Sequence, residues 1–91
     1  MIRPTGTMTC PPGRLAEVRA ALPAHVALTR AEPGCVQFEV TEAADGRFVV
    51  DEAFADRAAF EAHQSRGAAS DWARVTRGLP RDYHVTEDPA P

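Results

Sequence analysis

The stretch from Cys35 to Phe54 constrains the fold more than any other part of the chain. In CVQFEVTE, the apolar residues Val36, Phe38 and Val40 alternate with polar ones, so the two kinds point to opposite sides of an extended strand. AADG follows as a turn, and RFVVDEAF resumes the alternation in a second strand. The two segments predict a β-hairpin with one apolar face, which another layer of structure must cover.

A first helix is predicted before the hairpin, from about Arg14 to Ala31. Its apolar residues recur at steps of three and four and form one stripe: Leu15, Val18, Leu22 and Val26. Pro23 lies inside this segment and cannot donate a hydrogen bond to the carbonyl of Arg19, so we expect a bend or break there. EPG at positions 32–34 ends the helix, because proline restricts the residue before it and glycine permits a left-handed turn.

A second helical region is predicted after the hairpin. Asp56 is suited to cap it by accepting a hydrogen bond from a backbone N–H of the first turn, and the helix loosens at Gly67. One side of this helix carries Ala59, Phe60 and His63. Ser70 then starts a further helical segment, which Gly78 and Pro80 end. Its inward residues are Trp72, Val75 and Leu79.

The two remaining strands lie at the ends of the chain. IRPTGTMTC, from Ile2 to Cys10, alternates threonines with apolar or small residues, and Pro4 belongs near the start of such a strand or on an edge. RDYHVT is the last strand. Residues 1–86 therefore form one predicted domain, and residues 87–91 are expected to be a flexible tail.

The predicted order is β-α-β-β-α-β, an α+β fold of the ferredoxin-like type. Right-handed crossovers place strands one and three at the centre of a four-stranded antiparallel sheet, with the helices on one face. Cys10 and Cys35 are then separated by a whole strand, so we expect two free thiols.

The sheet face that no helix covers carries polar residues rich in β-formers. They are Thr5, Thr7, Thr9, Gln37, Glu39 and Thr41. Such a face can remain in water, or it can pair with the same face of a second copy and add buried area that a chain of 91 residues lacks. The pattern alone leaves both arrangements open.

Charge and composition exclude several classes of function. The net charge is −3, and the ten basic residues, all arginines, are scattered and expected in solvent, so no stripe suited to nucleic acid exists. No apolar run approaches the roughly 20 residues of a membrane span, and a cytoplasmic location is expected. His25, His63 and His84 lie far apart in sequence without metal-ligand spacing, so no metal is expected.

Three segments, TMTCPPG, AEPGCVQFEV and DEAFADRAAFEAH, follow one another at a particular spacing. Together they make the chain resemble the antibiotic biosynthesis monooxygenase (ABM) domain family of the dimeric α+β barrel superfamily. The resemblance implies a homodimer whose two sheets form one barrel, with a pocket for a small aromatic or hydrophobic ligand in each subunit. It also implies oxygenases that use no flavin, haem or metal and act on quinol-like phenols.

His63 and Glu52 are the candidate catalytic residues. His63 shares a helix side with Phe60, and an imidazole has a pKa suited to taking a phenolic proton at neutral pH. Glu52 shares a covered strand face with Phe48 and Phe54, where an unpaired carboxylate is costly, so it needs a partner such as His63 or an arginine. Purely structural roles are the alternative for both. The candidate substrate-binding residues are Thr7, Phe38, Phe48, Phe54, Phe60 and Trp72.

The leading hypothesis is a cofactor-independent monooxygenase that oxidises a small aromatic, quinol-type compound. The alternative is a non-catalytic dimeric module that binds a small ligand. It is favoured by Phe54, where oxygenases of the group place a tryptophan, and by Thr7, where many place an asparagine. A lactone isomerase on the same fold would also use a base such as His63, but it would consume no oxygen.

Overall fold

The chain alternates strands and helices in the predicted order. The structure is a computed structural model and describes residues 1–88. Its strands are β1 (Ile2–Thr9), β2 (Cys35–Ala44), β3 (Arg47–Phe54) and β4 (Arg81–Glu87), and its helices are α1 (Pro12–Arg30), α2 (Arg57–Ala68) and α3 (Asp71–Val75). The strands form one antiparallel sheet in the order β2-β3-β1-β4, so the predicted ferredoxin-like fold with strands one and three at the centre is confirmed.

The two faces of the sheet differ in burial as the alternation predicts. On β3 the buried face carries Phe48, Val50, Glu52 and Phe54. Next to it, β1 contributes Ile2, Pro4 and Met8. The helices cover this face at one end, where Met8 and Phe48 join Val18, Val75 and Leu79 in the hydrophobic core. The other face of the sheet is left uncovered within the chain.

Helix α1 is not broken at Pro23, so the predicted break was wrong. The helix runs without interruption to Arg30, and Pro23 lies exposed on it. Because Pro23 is exposed, the backbone carbonyl of the preceding turn that loses its partner can bind water. The packing of the helix before and after Pro23 outweighs the loss of about 3 kcal/mol that a helix-interior proline costs. The buried residues of α1 are Val18, His25 and Thr29, so its covered stripe includes two polar side chains.

Val36 does not share the buried side of β2, which corrects one residue of the predicted alternation. It is 56% exposed, whereas Phe38 is buried. Cys35 pairs with Phe54 and Gln37 pairs with the adjacent Ala53, so β2 carries one extra residue at this point. Such a bulge turns one side chain out of the alternation.

Both ends of the sheet are tied by backbone hydrogen bonds. The N–H of Cys10 donates to the carbonyl of Gly46 at 2.7 Å, and a Cβ at Gly46 would lie 2.3 Å from the carbonyl oxygen of Cys10. Cys35 begins β2 at the opposite end, and both cysteines are free, as predicted.

Glu87 belongs to β4, and the N–H of Asp88 donates to the carbonyl of Met1. The expected tail therefore does not begin at residue 87. Positions 89–91 lie outside the described residues.

Several arginines at the surface also donate hydrogen bonds to backbone carbonyls. Arg14 donates to the carbonyls of Val75 and Arg77 at 2.7 and 3.0 Å. Arg81 donates to the carbonyl of Thr76 and, at 2.6 Å, to its hydroxyl. The carbonyls at the end of a short helix have no partners within it, and a guanidinium with five donors can serve two of them at once. Within residues 1–88 no helix is long and apolar enough to cross a membrane.

Candidate active site

A cavity of about 490 Å³ lies between the sheet and the helices. Its floor is the buried face of the sheet, where Phe48, Val50 and Glu52 line it, and α2 and α3 close it from above. The aromatic rings in its wall belong to Phe38, Phe48, Phe60, Trp72 and Tyr83. Cavities of this size with mostly apolar walls and few polar groups are typical of small-molecule sites.

Six of the eight predicted site residues line this cavity. They are Glu52, His63, Phe38, Phe48, Phe60 and Trp72. Phe54 is fully buried and does not line the cavity; its ring stacks on that of His63, with centroids 4.8 Å apart. Thr7 lies on the opposite face of the sheet, because the inward residues of β1 are Pro4 and Met8. The placement of Thr7 in a ligand pocket of its own subunit was therefore wrong.

His63 is held by a carboxylate, Glu32, that was not among the predicted site residues. Its Nδ1 lies 2.8 Å from Oε1 of Glu32, and both side chains are nearly buried. An ionised carboxylate can only accept, so Nδ1 carries the proton and Nε2 of the neutral ring keeps its lone pair. A base is thus presented on the side of the ring that faces Glu52 and the cavity.

Glu32 is itself fixed by α2. The guanidinium of Arg66 donates from Nε to Oε2 of Glu32 and from Nη2 to the hydroxyl of Thr29 at 2.9 Å. Arg66 lies three residues after His63, so one side of α2 supplies both partners of the carboxylate. In the sequence, Glu32 belongs to EPG, a segment typical of a helix end and a turn, so the pattern does not indicate a role for its carboxylate. The three-residue spacing of His63 and Arg66 was the available pointer to a shared acidic partner.

Glu52 is buried beside His63 without a direct hydrogen bond to it. Its Oε1 lies 3.6 Å from Nε2 of His63, beyond direct hydrogen-bonding distance. Burial, followed by the charges of Glu32 and Asp51, raises the pKa of Glu52 to about 7. The carboxyl group is therefore close to half protonated at neutral pH, and it can exchange a proton with a group in the cavity.

His25, on α1, is a second imidazole in the cavity wall. Its ring stacks on Trp72 with centroids 4.9 Å apart and meets the edge of Phe38 at 5.4 Å. Burial, followed by the charges of Arg66 and His63, lowers the pKa of His25 to about 4, so the ring is neutral at pH 7. From the sequence, His25 was assessed only as a metal ligand. Its place three and seven residues after Leu22 and Val18, on the apolar stripe of α1, was the sign that it points inward.

Tyr83 forms the wall of the cavity on the β4 side. Its backbone pairs with Gly6, where a Cβ would lie 2.6 Å from the tyrosine ring, so glycine is required for the ring to lie across β1. Burial and the charge of Glu52 raise the pKa of Tyr83, which keeps the phenol protonated at neutral pH. The cavity therefore combines the imidazoles of His63 and His25, the titrating carboxyl group of Glu52, two arginines (Arg77 and Arg81) and a set of aromatic rings.

The sequence matches the model of the antibiotic biosynthesis monooxygenase family over residues 1–75. The chain belongs to this family. No curated protein matches the sequence of this ABM protein. Its similarity to known proteins therefore rests on the family model and on the fold.

Solved structures share the fold of this ABM protein over nearly its whole length. A Deinococcus radiodurans protein bearing the family's name superposes with a TM-score of 0.80 at 22% identity, over 100% of this chain and 95% of its own. A Nitrosomonas europaea protein bearing the same name gives 0.82 at 18% identity, over 97% and 98%. SnoaB, a cofactor-independent oxygenase from Streptomyces nogalater, gives 0.78 at 15% identity, over 99% and 94%. At these identities the likeness concerns the fold.

Proposed function

We propose that this ABM protein is a cofactor-independent monooxygenase that oxidises a small aromatic compound of the quinol type. The observation that carries the proposal is the contact of His63 Nδ1 with Oε1 of Glu32 at 2.8 Å, which leaves Nε2 of a neutral ring as the acceptor beside an aromatic-walled cavity. An imidazole in this state is a base for a phenolic hydroxyl group. Flat aromatic walls suit a flat aromatic ligand.

In the proposed reaction, Nε2 of His63 takes the proton of a substrate hydroxyl group. The resulting phenolate is electron-rich enough to pass an electron to dioxygen, which a neutral phenol does poorly. Glu52, 3.6 Å from Nε2, stabilises the imidazolium when it is ionised, because opposite charges at this distance attract strongly inside a protein. The apolar walls exclude water from the radical pair.

The proposed reaction balances without a cofactor. A substrate XH₂ reacts with O₂ to give XO and H₂O: one oxygen atom forms a bond to carbon, and the other leaves as water with the two hydrogens of the substrate. The substrate supplies both electrons that the second oxygen atom needs. Protein side chains then only move protons, hold the ring and keep water out.

We also propose that two copies pair through the uncovered sheet face that bears Thr7, Gln37, Glu39 and Thr41. These residues come from β1 and β2, and Thr7, Val49 and Thr41 stand in one row across three strands. A domain of this size buries only about 60–65% of its unfolded-chain surface, so a second copy on this face would add substantial burial. The proposed assembly is a homodimer of two sheets facing each other.

Oxygen uptake with a panel of hydroquinones and polycyclic phenols, without added metal or organic cofactor, tests the proposed activity. We expect one O₂ consumed per substrate, one ¹⁸O atom from ¹⁸O₂ in the product, and no hydrogen peroxide above the rate of the protein-free control. Uptake that yields only peroxide, or no uptake with any compound, would contradict the proposal. Ligand binding without uptake would instead support a binding module.

A further inference from the structure

His25 is buried, with 7% exposure, and its ring forms no hydrogen bond with another side chain or the backbone within residues 1–88. Its Nδ1 is the buried side-chain nitrogen or oxygen for which residues 1–88 offer no partner. Buried polar atoms in folded proteins are nearly always paired, and an unpaired one costs stability that some other role must justify. This Nδ1 is closed off from solvent, so the ring nitrogen that a molecule in the cavity can reach is Nε2, which also has no partner among the described residues.

The state of the His25 ring suits it to a neutral contact with a ligand. A neutral imidazole has one N–H donor and one lone-pair acceptor, so it can bind a hydroxyl group, a carbonyl or a phenolate oxygen. Its stacking on Trp72, with ring planes only 10° apart, fixes the plane in which these atoms lie. His63 likewise presents Nε2 to the cavity, because its Nδ1 is bonded to Glu32.

The two imidazoles stand close together on the same cavity wall. Their ring centroids are 6.4 Å apart, and Phe38 contacts both, at 5.4 Å from His25 and 5.8 Å from His63. Oxygens on adjacent ring carbons lie about one hydrogen-bond length apart, and two bonds of about 2.8 Å connect such a pair to two neighbouring nitrogens. Oxygens at opposite ends of an aromatic system diverge too far to reach both.

We propose that His25 is a specificity-determining residue that binds a second substrate oxygen next to the one deprotonated by His63, so that the preferred ligand is an aromatic compound with two vicinal oxygens. The inference rests on the proposed function, in which His63 contacts the first oxygen. It goes further in naming the substitution pattern and the residue that selects it.

Two isomeric naphthalenediols test this selection without turnover. In 2,3-dihydroxynaphthalene the oxygens are vicinal, and in 2,6-dihydroxynaphthalene they lie at opposite ends of a skeleton of equal size. Anaerobic isothermal titration calorimetry with the full chain should show the 2,3 isomer binding roughly tenfold more tightly, the value of one hydrogen bond. His25→Phe, which keeps a ring on Trp72, should remove this preference and leave the affinity for the 2,6 isomer within about twofold.

Two further variants protect the test. His25→Gln keeps a donor and an acceptor and should retain part of the preference, and it serves if His25→Phe does not fold. His84→Phe makes the same change at an exposed position outside the cavity, and it should leave binding of both isomers unchanged. Equal affinities in the wild type, equal losses of both isomers in His25→Phe, or no binding at millimolar concentration would each overturn the inference.

The outcome separates this inference from the proposed activity. Binding is measured without oxygen, so isomer preference can stand when no oxygen is consumed, and only the monooxygenase proposal then fails. Oxygen uptake that is indifferent to the position of the second hydroxyl group would overturn the role of His25 alone.

Discussion

The two faces of the sheet carry polar residues in opposite circumstances. On the uncovered face, Glu39, Thr5 and Thr41 stand in contact with water, where a polar side chain costs nothing. On the covered face, Glu52 is 5% exposed and His63 is nearly as buried, and no solvent relieves them. Strand alternation alone puts Glu52 among phenylalanines, so a charge on that side must be neutralised or held by other groups.

The difference locates the chemistry on the covered face. There, Glu32 and Arg66 fix one imidazole, while Glu52 is held close to half protonation at neutral pH. A carboxyl group whose pKa burial brings close to 7 is suited to pass protons at neutral pH. The uncovered face offers area and hydrogen-bonding groups, which suit contact with another copy of the chain.

The largest effect is expected from removing the base on the covered face. His63→Ala should lower oxygen uptake by roughly 100-fold or more, the range for a general base, because it removes the base that deprotonates the substrate in the proposed reaction. Circular dichroism and light scattering should show a folded protein with unchanged assembly. Steady-state oxygen uptake on the best substrate of the panel measures the loss.

Graded variants on the same helix layer separate catalysis from packing. Glu32→Gln should lower kcat about tenfold with little change in KM, because it weakens the orientation of His63 without touching the substrate. Its ¹⁵N NMR spectrum should show the ring of His63 losing its single tautomer. Glu61→Gln, on the exposed side of α2, should change neither quantity. Full activity in His63→Ala would reduce His63 to a packing residue.

The next largest effect is expected on the uncovered face. Val49 is 37% exposed and stands between Thr7 and Thr41, so Val49→Arg would put two like charges at the centre of a symmetric contact. The dimer dissociation constant should rise roughly 30-fold or more, as for a central interface residue. Analytical ultracentrifugation should show a shift from twice the chain mass towards 9.8 kDa.

Leu28→Arg is the matched control for assembly. Leu28 is 57% exposed on α1, in the helix layer and away from the uncovered sheet face, so the same change there should leave the dimer intact. If the wild-type chain sediments as a stable monomer at micromolar concentration, the uncovered face is exposed to solvent and does not form a dimer. Dissociation by Leu28→Arg would place the contact on the helices instead.

Local pattern predicted most of the fold, because each element shows its own period. Alternation identified both hairpin strands, and the cap at Asp56 is present, its carboxylate accepting from the N–H of Ala59 at 2.8 Å. Val36 departed from the pattern because a bulge depends on pairing with β3, which the sequence of β2 does not contain. Alternation also assigned Thr7 to the outer face, and its place in the pocket had come from the resemblance rather than from the pattern.

The candidate site was predicted only where its residues lie on the inward side of one element. His63 and Glu52 follow from helical and strand periods, whereas Glu32 reaches His63 from 31 residues away. Contacts of this kind depend on how α1 and α2 meet, which no local period encodes. His25 was overlooked because an imidazole on an apolar stripe is chemically ambiguous until its unpaired nitrogen and its neighbours are known.

The smallest effect is expected from neutralising the buried carboxyl group. Glu52 has a pKa of about 7 in the folded chain and an ordinary value when unfolded, so between these values the folded state binds more protons. Stability should therefore fall as pH rises from about 4.5 to about 7 and then level off. Glu52→Gln keeps the shape but removes this dependence, so at pH 8 the variant should be more stable than the wild type by about 1 kcal/mol.

The size and the sign of that gain both follow from the covered face. The full pKa shift corresponds to roughly 3 kcal/mol, but the gain from Glu52→Gln is smaller because the buried amide carries two N–H donors that need partners of their own. Urea denaturation at pH 5 and pH 8 measures the difference, with Glu61→Gln as the same change on an exposed side chain. Equal stability of Glu52→Gln and wild type at both pH values would mean that Glu52 is ionised and well paired. A variant destabilised at pH 8 would mean that His63 needs the carboxylate. The buried Glu52 would then cost the folded chain no more stability than the polar residues of the uncovered face.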